Sequence, residues 1–174
     1  MTEKSMNKGA ARRVSKALAA KGAPSEHTDI LDTLKREHEE VKSLLADLQD
    51  AESVNERAEL VREIKAALVP HTKAEEKVVY DAIIATSEDE AQTDGLEGYL
   101  EHEWASKTLE RLEAADPSSA EHKAAAKVLK DLVEHHIEEE EANVWRDVRE
   151  NFDEEDRVRM NAEFEAAKQQ VGRS

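Results

Sequence analysis

Leu132-Val133-Glu134-His135-His136-Ile137-Glu138-Glu139-Glu140-Glu141-Ala142-Asn143-Val144-Trp145 decides how the rest of the chain is read. It sets a histidine and a glutamate four residues apart, His136 and Glu140, inside a strongly helical run. Four residues is just over one helical turn, so both side chains leave the helix in the same direction. Leu129, Leu132 and Val133 lie seven, four and three positions before His136, which puts that histidine on the apolar stripe. An imidazole and a carboxylate that face a core together need a partner for their polar atoms, and a metal ion is one such partner.

The pattern occurs twice. His71-Thr72-Lys73-Ala74-Glu75-Glu76-Lys77-Val78-Val79-Tyr80 matches His136 to Trp145 at the histidine, at both glutamates, at the valine and at the final aromatic. Each copy follows a lone histidine on an apolar helix, His38 lying 33 residues before His71 and His102 lying 34 before His136. One histidine on an apolar face is more often a satisfied core residue than a ligand, and Glu-rich helices produce His-x3-Glu by chance. The duplication shifts that balance, because four of only seven histidines fall into one repeated unit.

Composition narrows the fold. Charged residues make up 38% and aromatics 3%, with Gly and Pro scarce, which favours long helices over sheet. A chain of 174 residues is long enough to bury a core as one domain. The absence of cysteine excludes disulfides and thiolate chemistry. No apolar run approaches the roughly 20 residues that span a bilayer, and no signal-peptide core is present, so the expectation is a cytoplasmic protein with no membrane contact. The net charge of −16 is uneven: residues 1–24 carry six Lys/Arg and one Glu, so they hold +5 and the rest −21. So acidic a body makes nucleic acid an unfavourable partner.

The spacing predicts an all-α, antiparallel up-down-up-down four-helix bundle over residues 28–151, preceded by a basic tail (1–27) and followed by an extra C-terminal helix and tail (152–174). The tail reads as an arm lying on the acidic body, with a targeting or nucleic-acid role as the alternative. The first helix runs from Asp29 to Asp50 with His38 amid Leu31, Leu34, Val41, Leu45 and Leu48. The second begins near Val54, after a Ser53/Glu56 capping pattern, and Pro70 either kinks it before His71 or splits it, the unbroken stripe favouring a kink. The third spans Gly95 to Ala115 with Tyr99 and His102 inward, and the fourth spans Pro117 to Asn151, capped by Asp116. The fifth starts after Asp153 with Val158, Phe164 and Ala167 inward.

In such a bundle the first hairpin delivers His38, His71 and Glu75, and the second His102, His136 and Glu140. Four nitrogens and two carboxylates exceed one tetrahedral zinc but suit two metals about 3.5–4 Å apart. Each metal takes two histidines, and the glutamates bridge. Imidazole with carboxylate suits iron, manganese or zinc, and the sequence does not choose among them. His135 competes with His136, since His135 and Glu139 are also four apart. Apolar neighbours and register with His71 favour His136. His27 and His122 read as solvent-facing, and Glu138 to Glu141 as a solvated face with Glu140 the exception.

These residues resemble the hemerythrin-like, HHE cation-binding family. The resemblance covers roughly residues 28–150 and rests on Leu-Lys-Arg-Glu-His38, Pro70-His71-x3-Glu75-Glu76, Glu101-His102-Glu103 and His136-x3-Glu140-Glu141. It implies a four-helix bundle around a non-haem, oxo- or hydroxo-bridged pair of iron ions, in proteins that bind oxygen, sense oxygen or iron, respond to nitric oxide or decompose peroxide. Where oxygen carriers have a second histidine four residues after the one on the third helix, this chain has Ser106, which favours reactive chemistry or labile binding over stable oxygenation. Family members often have proline after the aromatic of each repeat. Here those positions are Asp81 and Arg146, which lets the helices run on. No segment resembles an appended signalling or zinc-ribbon domain, so a dedicated receptor is not the expectation.

Two iron ions are therefore the expected cofactor, and dioxygen, hydrogen peroxide or nitric oxide the expected small-molecule partners, in a stress-response role. Catalase-like peroxide decomposition, or reduction of nitric oxide or oxygen, is the candidate enzymatic activity. A non-enzymatic oxygen- or iron-binding, storage or sensing module is the alternative, and a metal-free helical interaction protein the third. No acid–base residue stands apart from the six ligands; Tyr99, one turn before His102, is the candidate for supporting one from behind.

Overall fold

The computed structural model describes residues 28–86 and 88–171. The basic segment 1–27, with His27, lies outside the described residues. Every element described is helical, so the chain is all-α.

Helix α1 (Ile30–Asp50) starts where the Asp29 carboxylate accepts the Leu31 N–H at 2.9 Å. Its Leu31, Leu34, His38, Val41, Leu45 and Leu48 recur every three or four residues, and all are buried. A three-residue turn leads to α2 (Val54–Glu75), capped by Ser53 Oγ, which accepts the Glu56 N–H at 3.1 Å. Pro70 lies inside α2, which continues through it as one element and is not split. A π-helical turn (Glu76–Tyr80) and a short α3 (Asp81–Ile84) extend the same rod, so it does run on past Asp81.

Helix α4 (Asp89–Ala114) starts six residues earlier than the sequence spacing predicts. Asp89 and Glu90 suit the positive end of the helix dipole, and Ala91 is already buried. Helix α5 (Ala120–Ala142) starts three residues later than expected, because Ser119, not Asp116, caps it by accepting the His122 N–H at 3.0 Å. Asp116 instead takes the Ser118 N–H and hydroxyl, each at 2.7 Å, in a turn of its own. The expected single fourth helix is divided at Asn143, with α6 (Val144–Asn151) carrying the chain through Arg146. Helix α7 (Glu154–Val171) is the predicted fifth helix.

Helices α4 and α5 form one closely packed pair, α1 and α2 the other, and α1 lies against α5. Helix α7 lies across α1 and α2. The core divides into two apolar clusters. One holds Ile30, Leu34, Val79, Ile83, Val148 and Phe164. The other holds Leu45, Ile64, Leu68, Leu109, Leu129 and Val133. His38 falls between Leu34 and Val41, and His71 between Leu68 and Ala74, so the polar layer separates the two clusters. No helix among the described residues is long and apolar enough to cross a membrane.

One histidine departs from expectation. His122 is 1% exposed, not solvent-facing, and neither ring nitrogen has a hydrogen-bond partner. It lies on the inner stripe of α5 with Ala125, Ala126 and Leu129, at three, four and seven positions, and that periodicity was present in the sequence.

Candidate metal centre

Each ligand candidate sits at the inward point of its helix. His38, His71, Glu75, His102, His136 and Glu140 are all buried, none more than 8% exposed. Glu75 Oε2 lies 3.4 Å from His71 Nε2 and 3.5 Å from His102 Nε2. Glu140 Oε2 lies 3.4 Å from His38 Nε2 and 3.5 Å from His136 Nε2. Each carboxylate thus spans one imidazole of each hairpin. His38, His71 and Glu75 gather as one group able to hold a metal, and Glu75, His102 and His136 as a second. His135, 64% exposed at its side chain, points away and meets only Glu101, at 3.8 Å.

Three of the four outer nitrogens are also partnered. His71 Nδ1 meets Glu37 at 3.0 Å, and His136 Nδ1 meets Glu101 at 2.7 Å. His38 Nδ1 meets Glu141 at 3.2 Å, and His102 Nδ1 approaches Glu76 at 3.4 Å without hydrogen-bond geometry. An Nδ1–H held by a carboxylate leaves the Nε2 lone pair facing the centre and makes it a better donor. Sequence reasoning gave these four glutamates no role. Their signal was adjacency: Glu37 and Glu101 immediately precede the lone histidines, and Glu76 and Glu141 immediately follow the inner glutamates. Glu141 therefore departs from the solvated face expected of the Glu138 to Glu141 run.

Two aromatics complete the wall. In a regular α-helix a residue five positions on lies about 140° round the axis. The π turn after Glu75 and the break after Glu140 bring Tyr80 and Trp145, each five residues on, back over their glutamates. Trp145 donates its indole N–H to Glu140 Oε1 at 3.2 Å and stacks on His38, 5.9 Å between centroids. Tyr80 Oη lies 3.5 Å from Glu75 Oε2 and 3.4 Å from both His102 and His136 Nε2. Tyr99 does not hydrogen-bond any of the six ligand candidates: its hydroxyl shares one proton between Asp81 Oδ1 at 2.8 Å and the Glu76 carbonyl at 3.0 Å, and its ring packs edge-on against Tyr80 at 5.7 Å. Ser106 is exposed and contributes nothing.

The electrostatics are those of carboxylates enclosing imidazoles. Burial alone raises the Glu75 pKa, but His71 and His102 outweigh it and hold it well below the usual carboxylate range. Burial opposes a charge on His71, but Glu75 and Glu37 prevail and push it up to about 10. Burial, then the Glu75 and Glu140 charges, push the Tyr80 phenol well above its ordinary value, so its proton stays on in the absence of a cation.

The donors fit a metal. His38 Nε2, Glu75 Oε1 and Glu140 Oε2 are buried and lack any hydrogen-bond partner. Unsatisfied buried acceptors and donors are costly, and a cation at the centre satisfies all three. Residues 29–146 match the model of the hemerythrin HHE cation-binding domain. The chain belongs to that family. It is also similar to a protein named DNA nickase from Nostoc sp. strain PCC 7120, 27% identical over 181 residues that cover 98% of this chain. The chain spans about half of that relative, 51% of its length. No solved structure gives a significant match. Membership agrees with the buried His/Glu layer, which together point to a bound metal ion.

Proposed function

We propose that this HHE domain is a non-haem di-iron protein that binds and reacts with dioxygen, hydrogen peroxide or nitric oxide in oxidative or nitrosative stress. The observation that carries the reading is the pair of inner carboxylates, each within 3.5 Å of an imidazole from either hairpin and each with an unpartnered buried oxygen. His38 and His71 would hold one ion and His102 and His136 the other, with Glu75 and Glu140 as the carboxylate donors between the hairpins. Bound iron supplies open coordination positions and redox chemistry. The chain supplies the surroundings. Glu37, Glu101 and Glu141 fix the ring orientations. A small, mostly apolar pocket walled by Val41, Leu68, Ala105, Val133 and Ile137 reaches the imidazoles and suits a small neutral ligand.

Elemental analysis and absorption spectra of protein from iron-supplemented cells test this. The expected result is about two irons per chain, lost in a Glu75→Ala plus Glu140→Ala variant, with peroxide turnover or a spectral response to nitric oxide. Two irons with a reversible oxygen response and no turnover would favour the binding or sensing module. Two zincs or manganeses would remove the oxygen chemistry. Folded protein that takes up no metal would overturn the reading.

A second reading comes from the relative named DNA nickase, whose similarity extends over nearly the whole chain. On this reading the chain would take part in cleavage of one DNA strand, with the His/Glu layer holding the metal. The net charge of −16 weighs against it, since it repels phosphates. Conversion of supercoiled plasmid to open circles, abolished by the same double variant, would establish it.

A further inference from the structure

The two halves of the repeat end in different aromatics, and the difference falls inside the metal layer. Trp145 presents only an indole N–H, a donor that cannot ligate. Tyr80 presents an oxygen. It is 0% exposed, and its hydroxyl has no close partner: its three contacts lie at 3.4, 3.4 and 3.5 Å. Hydrogen bonds from a hydroxyl are usually about 2.7–2.8 Å long. An oxygen nearly equidistant from three donors, and close to none, is placed as their fourth corner.

The spacing of that corner is informative. Of the six separations among Tyr80 Oη, His102 Nε2, His136 Nε2 and Glu75 Oε2, five are 3.1, 3.4, 3.4, 3.5 and 3.5 Å, and the sixth, between His136 and Glu75, is wider. A regular tetrahedron with edges of about 3.4 Å has its centre about 2.1 Å from each corner, which is the bond length of nitrogen and oxygen ligands to a tetrahedral divalent metal. The backbone is shaped for the same end. The π turn swings Tyr80 inward, and Gly98 clears its path, since a Cβ there would stand 2.6 Å from the Tyr80 ring.

We propose that Tyr80 is a metal ligand, its phenolate oxygen completing the position held by His102, His136 and Glu75. This rests on the metal reading above. The oxygen–metal bond forms as the phenol proton departs to solvent, and no electron moves. A cation at the centre reverses the local charge that otherwise keeps the proton in place. The other position, bounded by Trp145 and by Phe164 against His71, has no such donor, so the two metals are inequivalent.

The test is spectroscopic. Protein is loaded with ferrous iron without oxygen, then oxidised to the ferric form. Wild type should show a visible phenolate-to-ferric charge-transfer band with resonance-enhanced tyrosinate ring vibrations. Tyr80→Phe should lose both and bind one of its two irons more weakly, by at least the roughly 10–100-fold that ligand-supporting groups are worth. The chain has two tyrosines, so ring-deuterated tyrosine in Tyr99→Phe protein assigns the vibrations without altering Tyr80. Two irons per chain with no tyrosinate vibrations overturns the proposal and leaves the di-iron reading intact. No iron in either protein overturns both.

Discussion

His102 Nε2 and His136 Nε2 stand 3.1 Å apart at the centre of the bundle, their rings backed by Glu76 and Glu101. Two imidazole nitrogens that close share a proton when no metal is bound, and a cation in its place would draw on both lone pairs. Metal should therefore act as a folding ligand. At 100 to 1,000 times its Kd it adds about 2.7–4.1 kcal/mol, which raises Tm by on the order of 10 °C in a domain this size. Calorimetry before and after chelation checks it. Equal melting temperatures at verified metal loss would contradict it.

The metal-free protein should weaken as pH rises. Burial opposes charge on His71, but Glu75 and Glu37 raise it from 6.5 to about 10. His38 and His102 move the same way, burial again opposing and Glu140 or Glu75 prevailing. A raised folded pKa means the folded state holds protons that the unfolded chain has released. The stabilisation is complete below pH 6.5 and is lost as pH climbs through about 10. The urea midpoint of metal-free protein should fall across that window, while metal affinity rises because a bound proton no longer competes. A midpoint constant from 6.5 to 10 would refute the ion pairs.

Gly98→Ala should be worse than Gly95→Ala. Alanine gains about 1 kcal/mol of helix propensity at either site. At Gly95 the new Cβ meets isoleucine side-chain carbons, Ile84 Cγ1 at 2.8 Å and Ile83 Cγ1 at 3.1 Å, of which the partly exposed Ile84 has room to turn. At Gly98 it meets the rigid, fully buried Tyr80 ring at 2.6 Å. Overpacking of that kind costs about 1–3 kcal/mol. Denaturant unfolding of the two variants side by side gives the order.

Phe164→Ala should destabilise the protein by about 3–5 kcal/mol, as for other fully buried aromatics. The ring packs edge-on against His71 at 5.8 Å, and Lys168, one turn on, pairs with the Glu37 that holds His71 Nδ1. The variant should thus lose metal affinity as well as stability. Lys168→Met should lower metal affinity with a smaller loss of stability. Metal titration beside chemical denaturation separates the two effects, and unchanged affinity in both variants would show that α7 is only a cover.

Periodicity alone determined much of this. A stripe recurring at three and four residues must face a core, so the helices, their inner residues and the six converging ligand candidates were legible before any coordinates. The repeat of His71–Tyr80 in His136–Trp145 carried the pairing of the hairpins. The buried His122 is legible too, since Ala125, Ala126 and Leu129 follow it at helical spacing on one stripe.

Tertiary structure alone decided the rest. Whether Glu141 reaches His38, 103 residues away, depends on how α1 lies against α5, which no local spacing encodes. The π turn at Glu76–Tyr80 and the break at Asn143 are backbone departures from the regular period, so a reading that assumes 3.6 residues per turn sends Tyr80 and Trp145 to the wrong face. That departure put Tyr80, and not Tyr99, beside the imidazoles.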